Sequence, residues 1–117
     1  MSASFNTHSE ALKAPITLTI DAGVVTVTQK LHIIKAESGT TDDLDTISLG
    51  YDNLSLDSVD YYPVLYVQAY TGHTITAKHG VDNLDLPADT DIDIVDDSWQ
   101  VFIWNGTNWQ TFVATAL

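Results

Sequence analysis

The chain has 117 residues and a mass of 12.8 kDa, enough for one domain and too little for two. Sixteen acids against four lysines and no arginine give a formal charge of -12, which opposes contact with nucleic-acid phosphates and anionic lipid headgroups, so neither partner is expected. With no cysteine there is no disulfide framework, no thiolate zinc site and no cysteine nucleophile.

Residues 1–14 lack the basic and apolar blocks of a secretion signal, and no run approaches the roughly 18 to 20 apolar residues of a membrane span. A soluble chain made in the cytoplasm is the expectation. Residues 1–15 read as an extended N-terminal arm, polar apart from Phe5, Ala11, Leu12 and Ala14, and residues 16–117 as one β domain. Isoleucine, valine and threonine make up 34 of the 117 residues, which biases the domain toward strand.

Ile16-Thr17-Leu18-Thr19-Ile20 and Val25-Thr26-Val27-Thr28 alternate with period 2 about Asp21-Ala22-Gly23, which predicts a hairpin. A third strand is expected over Leu31 to Ala36. Thr40 to Ile47, where a threonine precedes Asp42, Asp43 and Asp45, reads as one short helical turn with acids at its positive end. Val64 to Tyr70 and Thr74 to Lys78 flank Thr71-Gly72 and predict a second hairpin. Leu84-Asp85-Leu86 and Asp91 to Ile94, separated by Pro87, suit edge strands. Trp99 to Trp104 and Trp109 to Val113 flank Asn105-Gly106-Thr107-Asn108, the strongest hairpin signal in the chain. The predicted class is all-β, a small antiparallel β-sandwich or β-barrel with one short helical turn and the arm.

Little in this pattern carries catalysis. His8, His32, His73 and His79 include no pair at the i, i+4 spacing of a helical zinc site, and no serine sits in a Gly-x-Ser-x-Gly frame. No catalytic residue, metal or cofactor is assigned, and the chain is not expected to be an enzyme. Asp89, Asp91 and Asp93 would share one face of an extended segment and could present hard oxygens to Ca²⁺; the favoured reading is an edge strand whose like charges discourage aggregation. Trp99, Trp104 and Trp109 with Tyr61, Tyr62, Tyr66 and Tyr70 could instead offer stacking plates to sugars. Alternation puts Trp99, Val101 and Ile103 on one strand face and Gln100, Phe102 and Trp104 on the other. A strand apolar on both faces implies that the second face is covered by another chain or by the protein's own loops.

Four segments in order, Ile16 to Glu37, Asp42 to Ile47, Gly72 to Leu86 and Trp99 to Gln110, resemble the small β domains of tailed-bacteriophage virion proteins, which occur as capsid decoration (cement) proteins and as tail-fibre modules. The likeness spans about Ile16 to Phe112. Asp82-Asn83 stands where such modules often carry Gly-Asn. The resemblance implies a decoration protein on the outer capsid surface of the virion: a homotrimer that binds the major capsid protein and stabilises the shell. A tail-fibre or host- or glycan-binding module is the alternative. Under the first reading the arm contacts the capsid through Phe5, Leu12, Pro15 and Ile16, or equally wraps a sister subunit, and Tyr62, Tyr66, Phe102 and Trp104 line the subunit interface.

Overall fold

The computed structural model describes residues 14–50 and 64–112. Among them are the strands β1 (Ile16–Thr19), β2 (Val24–Val27), β3 (Leu31–Lys35), β4 (Thr41–Leu44), β5 (Thr46–Leu49), β6 (Val64–Ala69), β7 (Thr74–Ala77), β8 (Leu84–Asp85), β9 (Ile92–Ile94), β10 (Gln100–Trp104) and β11 (Trp109–Thr111). A single 3-10 turn, Pro87–Asp89, accompanies them. The class is all-β, as its β-branched composition predicts.

Three sheets enclose one core. The largest has the order β1-β3-β6-β10-β11-β8, the second pairs β2 with β5, and the third runs β4-β7-β9. Pairing departs from the antiparallel expectation. The β1–β3, β3–β6, β2–β5, β4–β7 and β8–β11 pairs are all parallel, and only β6–β10, β10–β11 and β7–β9 are antiparallel. Parallel neighbours cannot be joined by a tight turn, so the chain must travel around the core before it returns beside itself. It does so in succession: β1 then β2, β3 then β4 and β5, β6 then β7, each round stacking on the one before.

The two expected early hairpins therefore become corners. Asp21 and Val24 exchange N–H···O=C bonds of 2.9 and 3.0 Å across Ala22 and Gly23, whose φ angles of 52° and 82° are those of a tight reversal. Beyond that bridge β1 and β2 part into different sheets, because Val25 and Val27 bury against the core from another side. Gly23 is required twice over: its φ is left-handed, and a Cβ there would lie 2.6 Å from Asp45 Oδ2. The corner after β6 is built likewise, with His73 N–H donating to Tyr70 O at 2.7 Å and Gly72 at φ 82°. Among the described residues, only the Asn105-Gly106 hairpin joins consecutive strands that remain paired, Trp104 opposite Trp109.

The helical turn expected over Thr40 to Ile47 is absent; β4 and β5 occupy that stretch. Leu44 and Ile47 are both buried, and strands bent at Asp45 deliver them to the core while β7 satisfies the β4 main chain. Asp42 still acts as a cap, its carboxylate accepting from the Glu37 and Asp43 N–H groups at 2.8 Å each in the corner after β3. As predicted, β8 and β9 are edge strands.

The core gathers Ile34, Leu65, Val67 and Phe102 from the first sheet, Val25, Val27 and Ile47 from the second, and Leu44, Ile75, Ala77 and Ile94 from the third. Asn83 completes the second sheet. Its side-chain amide accepts from Ile47 N–H at 3.0 Å and donates to Ile47 O at 2.9 Å, in the manner of a peptide group of a third strand. Truncating buried Phe102 to alanine should cost about 3–5 kcal/mol in chemical denaturation, whereas Ile103→Thr on the opposite face should cost under about 1 kcal/mol. Asn83→Ala, which strands Ile47 N–H and leaves Ile47 O with only the indole N–H of Trp109, should cost about 2 kcal/mol.

Candidate functional site

Alternation gives every sheet an outer face, and their chemistry differs. Outside the third sheet stand Thr41, Asp43, Thr74, Thr76 and Asp93, and outside the second Val24, Thr26, Thr46 and Ser48. Both are largely polar. The first sheet instead presents Leu31 and Ile33 on β3, Val64, Tyr66 and Gln68 on β6, and Val101 and Ile103 on β10. Leu31, Tyr66 and Val101 lie side by side in register, and Ile103 faces Val64. All are half-buried except Tyr66, which is exposed. These three central strands place no carboxylate on that face, although the chain carries sixteen. A largely apolar face without acids, with Lys35 at one end of it, on so acidic a chain is the candidate site.

The residues expected at an interface divide between the two sides. Tyr66 is on the outer face. Phe102 is a correction: it is fully buried among the core side chains and has no surface to offer a neighbour. Trp104 shares its side, half-buried, with its ring centroid 5.4 Å from that of core Trp109. The register reverses the expected choice, since Phe102 pairs with inward Leu65, which leaves Val101 and Ile103 outside. Pro15 and Ile16 are exposed at the start of edge strand β1. Phe5, Leu12 and Tyr62 lie outside the described residues. Sequence reasoning grouped Val101 and Ile103 correctly but missed Leu31, Ile33 and Gln68, which only the parallel β3–β6 register brings beside them.

The described histidines serve the main chain. His32 is fully buried, and its Nε2 accepts from Thr28 and Gln29 N–H at 3.0 and 3.2 Å. The ring hydrogen therefore sits on Nδ1 and donates to Ile16 O at 2.9 Å, tying β1 to the β2–β3 turn. Burial lowers its pKa, against the opposing pull of its main-chain hydrogen bonds. His73 Nδ1 accepts from Ala36 N–H at 3.1 Å, bracing one corner against the next.

His79, Asp85 and Asp89 come close enough to suggest a metal site. Their hydrogen bonding argues otherwise. His79 Nδ1 accepts from Leu86 N–H at 3.0 Å, which leaves the hydrogen on Nε2, the atom 3.3 Å from Asp89 Oδ1. Neither ring nitrogen has a lone pair free for a cation in this arrangement, and Asp85 accepts from the Gln110 amide at 3.0 Å. Asp91 accepts from His79 N–H and pairs with Lys78 at 3.0 Å; both hold its carboxyl below the usual range. Asp93 accepts from the Thr76 hydroxyl at 2.8 Å. Asp89 and Asp91 thus engage different atoms of His79 and Asp93 engages Thr76, and the three carboxylates form no common cluster among the described residues.

No protein-family model, curated protein or solved structure matches the chain.

The lowered pKa of His32 has a consequence in solution. The folded state binds its proton less readily than the unfolded state, so its contribution to stability is present above the ordinary value of 6.5 and is lost as pH falls below it toward the folded pKa. Of the described titratable groups on elements packed against it, Lys30 belongs to the adjoining turn, while Lys35 and Tyr66 stand on the opposite faces of β3 and β6. Unfolding free energies measured from pH 7.5 to pH 5 should fall more steeply for the native sequence than for His32→Gln, whose amide does not titrate.

Proposed function

We propose that this chain is a structural virion subunit, a decoration protein that binds the outer surface of a phage capsid as a homotrimer and stabilises the shell. The observation that carries the reading is the carboxylate-free outer face formed by Leu31, Ile33, Val64, Tyr66, Val101 and Ile103. Two copies of a chain at -12 repel one another wherever their acids meet. A face without acids is where copies, or a copy and a capsid protein, come together at least electrostatic cost, and its aliphatic side chains gain from leaving water.

Charge also favours the shell's exterior. A strongly acidic subunit is repelled by packaged DNA, whereas outside the shell its acids stay hydrated. The arm, with Phe5 and Leu12 leading into exposed Pro15 and Ile16, supplies the second contact with the capsid. The resemblance to phage virion domains gives the partner its name, the major capsid protein.

The test is co-sedimentation of purified protein with undecorated capsids, paired with mass photometry of the free protein. Saturable binding and a trimeric mass are expected. Val101→Asp combined with Ile103→Asp should abolish the trimer while leaving a folded subunit by circular dichroism, and deletion of residues 2–14 should weaken capsid binding at least about tenfold. A folded monomer at high concentration that ignores capsids would overturn the reading.

A further inference from the structure

The outer face of the first sheet is not uniform along its strands. At one end its rows are aliphatic: Val64 beside Ile103, and Leu31 and Val101 flanking Tyr66. At the other end the composition changes. Gln68 has Ile33 in register on β3, and Trp99 lies just before Gln100, the residue at which the β6–β10 ladder ends opposite Val67. Tyr70 follows Gln68 by two residues and so shares its face, with Lys35 Nζ 4.9 Å from the Tyr70 ring centroid. Tyr66, Tyr70 and Trp99 remain 38%, 40% and 41% exposed.

Large aromatic rings gain from being covered, and here three stand partly bare at positions close along the strands to Gln68. Their backbones are fixed. Tyr70 N–H donates to Ile34 O at 2.8 Å, Ala69 N–H donates to Val95 O at 3.0 Å beside the Asp96-Asp97 turn that leads to Trp99, and Tyr70 stands edge-on to His73 with centroids 5.1 Å apart. The Gln68 side chain hydrogen-bonds to no described residue, and its amide can both donate and accept. From Tyr66 to Tyr70 is roughly 13 Å along the strand, room for more than one ring-sized unit.

From this arrangement we propose a carbohydrate-binding site, with Trp99, Tyr66 and Tyr70 as stacking plates and Gln68 as the central hydrogen-bonding group. The ligand is a neutral oligosaccharide. A pyranose ring has one face of C–H groups that lies against an aromatic ring and a rim of hydroxyls that both donate and accept, which an amide matches in both senses. Neutrality follows from charge: the field of a chain at -12 opposes uronic or sialic acids, and the cation at the site, Lys35, is already engaged with Tyr70. Leu31, Val64, Val101 and Ile103 at the aliphatic end are left for the protein contacts proposed above, with Tyr66 at the border between the two surfaces.

Titration of the full chain with maltohexaose, cellohexaose, mannohexaose and chitohexaose, followed by calorimetry and by amide chemical shifts, tests the site. At least one of the four is expected to bind saturably, with shifts confined to residues 66–70 and 99–101 and the neighbouring part of β3. Trp99→Ala, Tyr70→Ala and Gln68→Ala should each weaken that binding about three- to tenfold without lowering the thermal midpoint appreciably. Absence of binding by all four sugars, shifts elsewhere on the domain, or equal affinity in the Trp99→Ala protein would overturn the proposal, as would a preference for polygalacturonate over the neutral sugars. No capsid enters the experiment, so its outcome is independent of whether the protein decorates one.

Discussion

Everything in this domain follows from main-chain hydrogen bonds made between strands far apart in sequence and parallel in direction. Ile16 lies beside His32, and His32 beside Val67, so the first sheet is assembled from successive passes of the chain around the core. Each pass closes a large loop before any apolar surface is covered, and the entropic cost of that closure is recovered only when the next strand docks. This explains why polar atoms are so carefully used at the corners. The Asp42 carboxylate, the His73 ring and the Asn83 amide each satisfy main-chain groups that a strand partner would otherwise occupy. His32 does the same at the first turn, and it does so from inside the core, where a partly satisfied imidazole would be costly.

Much of this was readable from the residues. Period-2 alternation located β1, β2, β3, β6, β7 and β10 to within a residue or two, and Asn105-Gly106 identified the one hairpin whose strands stay together. Pairing was not readable. Asp21-Ala22-Gly23 and Thr71-Gly72 are true reversals, but a turn signal reports a local change of direction and says nothing of whether the strands beyond it remain neighbours. That depends on which side of the core each apolar stripe must face. The helical expectation at Thr40 to Ile47 failed for a related reason: acids after a threonine suit a helix start locally, and burial of both Leu44 and Ile47 with a ladder to β7 outweighed that preference.

The candidate site shows the same division. That β10 is apolar on both faces was evident from Trp99 to Trp104, and the structure places one of those faces in solvent. Which face it is turns on the β6–β10 register, and a shift of one residue would exchange Phe102 for Val101 and Ile103. Leu31 and Ile33 join the surface through strand pairing 35 residues along the chain, His32 to Val67, beyond the reach of any local pattern.

One small feature limits how this architecture can grow. Stacked passes of parallel chain are in principle open-ended, since each new turn offers its free rim to another. Among the described residues, the free rim of β5 is met by one carboxamide, Asn83 holding both the N–H and the C=O of Ile47, with the indole N–H of Trp109 on the same carbonyl at 3.2 Å. Because a side chain imitates one peptide unit and cannot propagate to the next, lengthening the array by duplicating a segment would leave the added rungs without a foothold there. The domain is built to a fixed height.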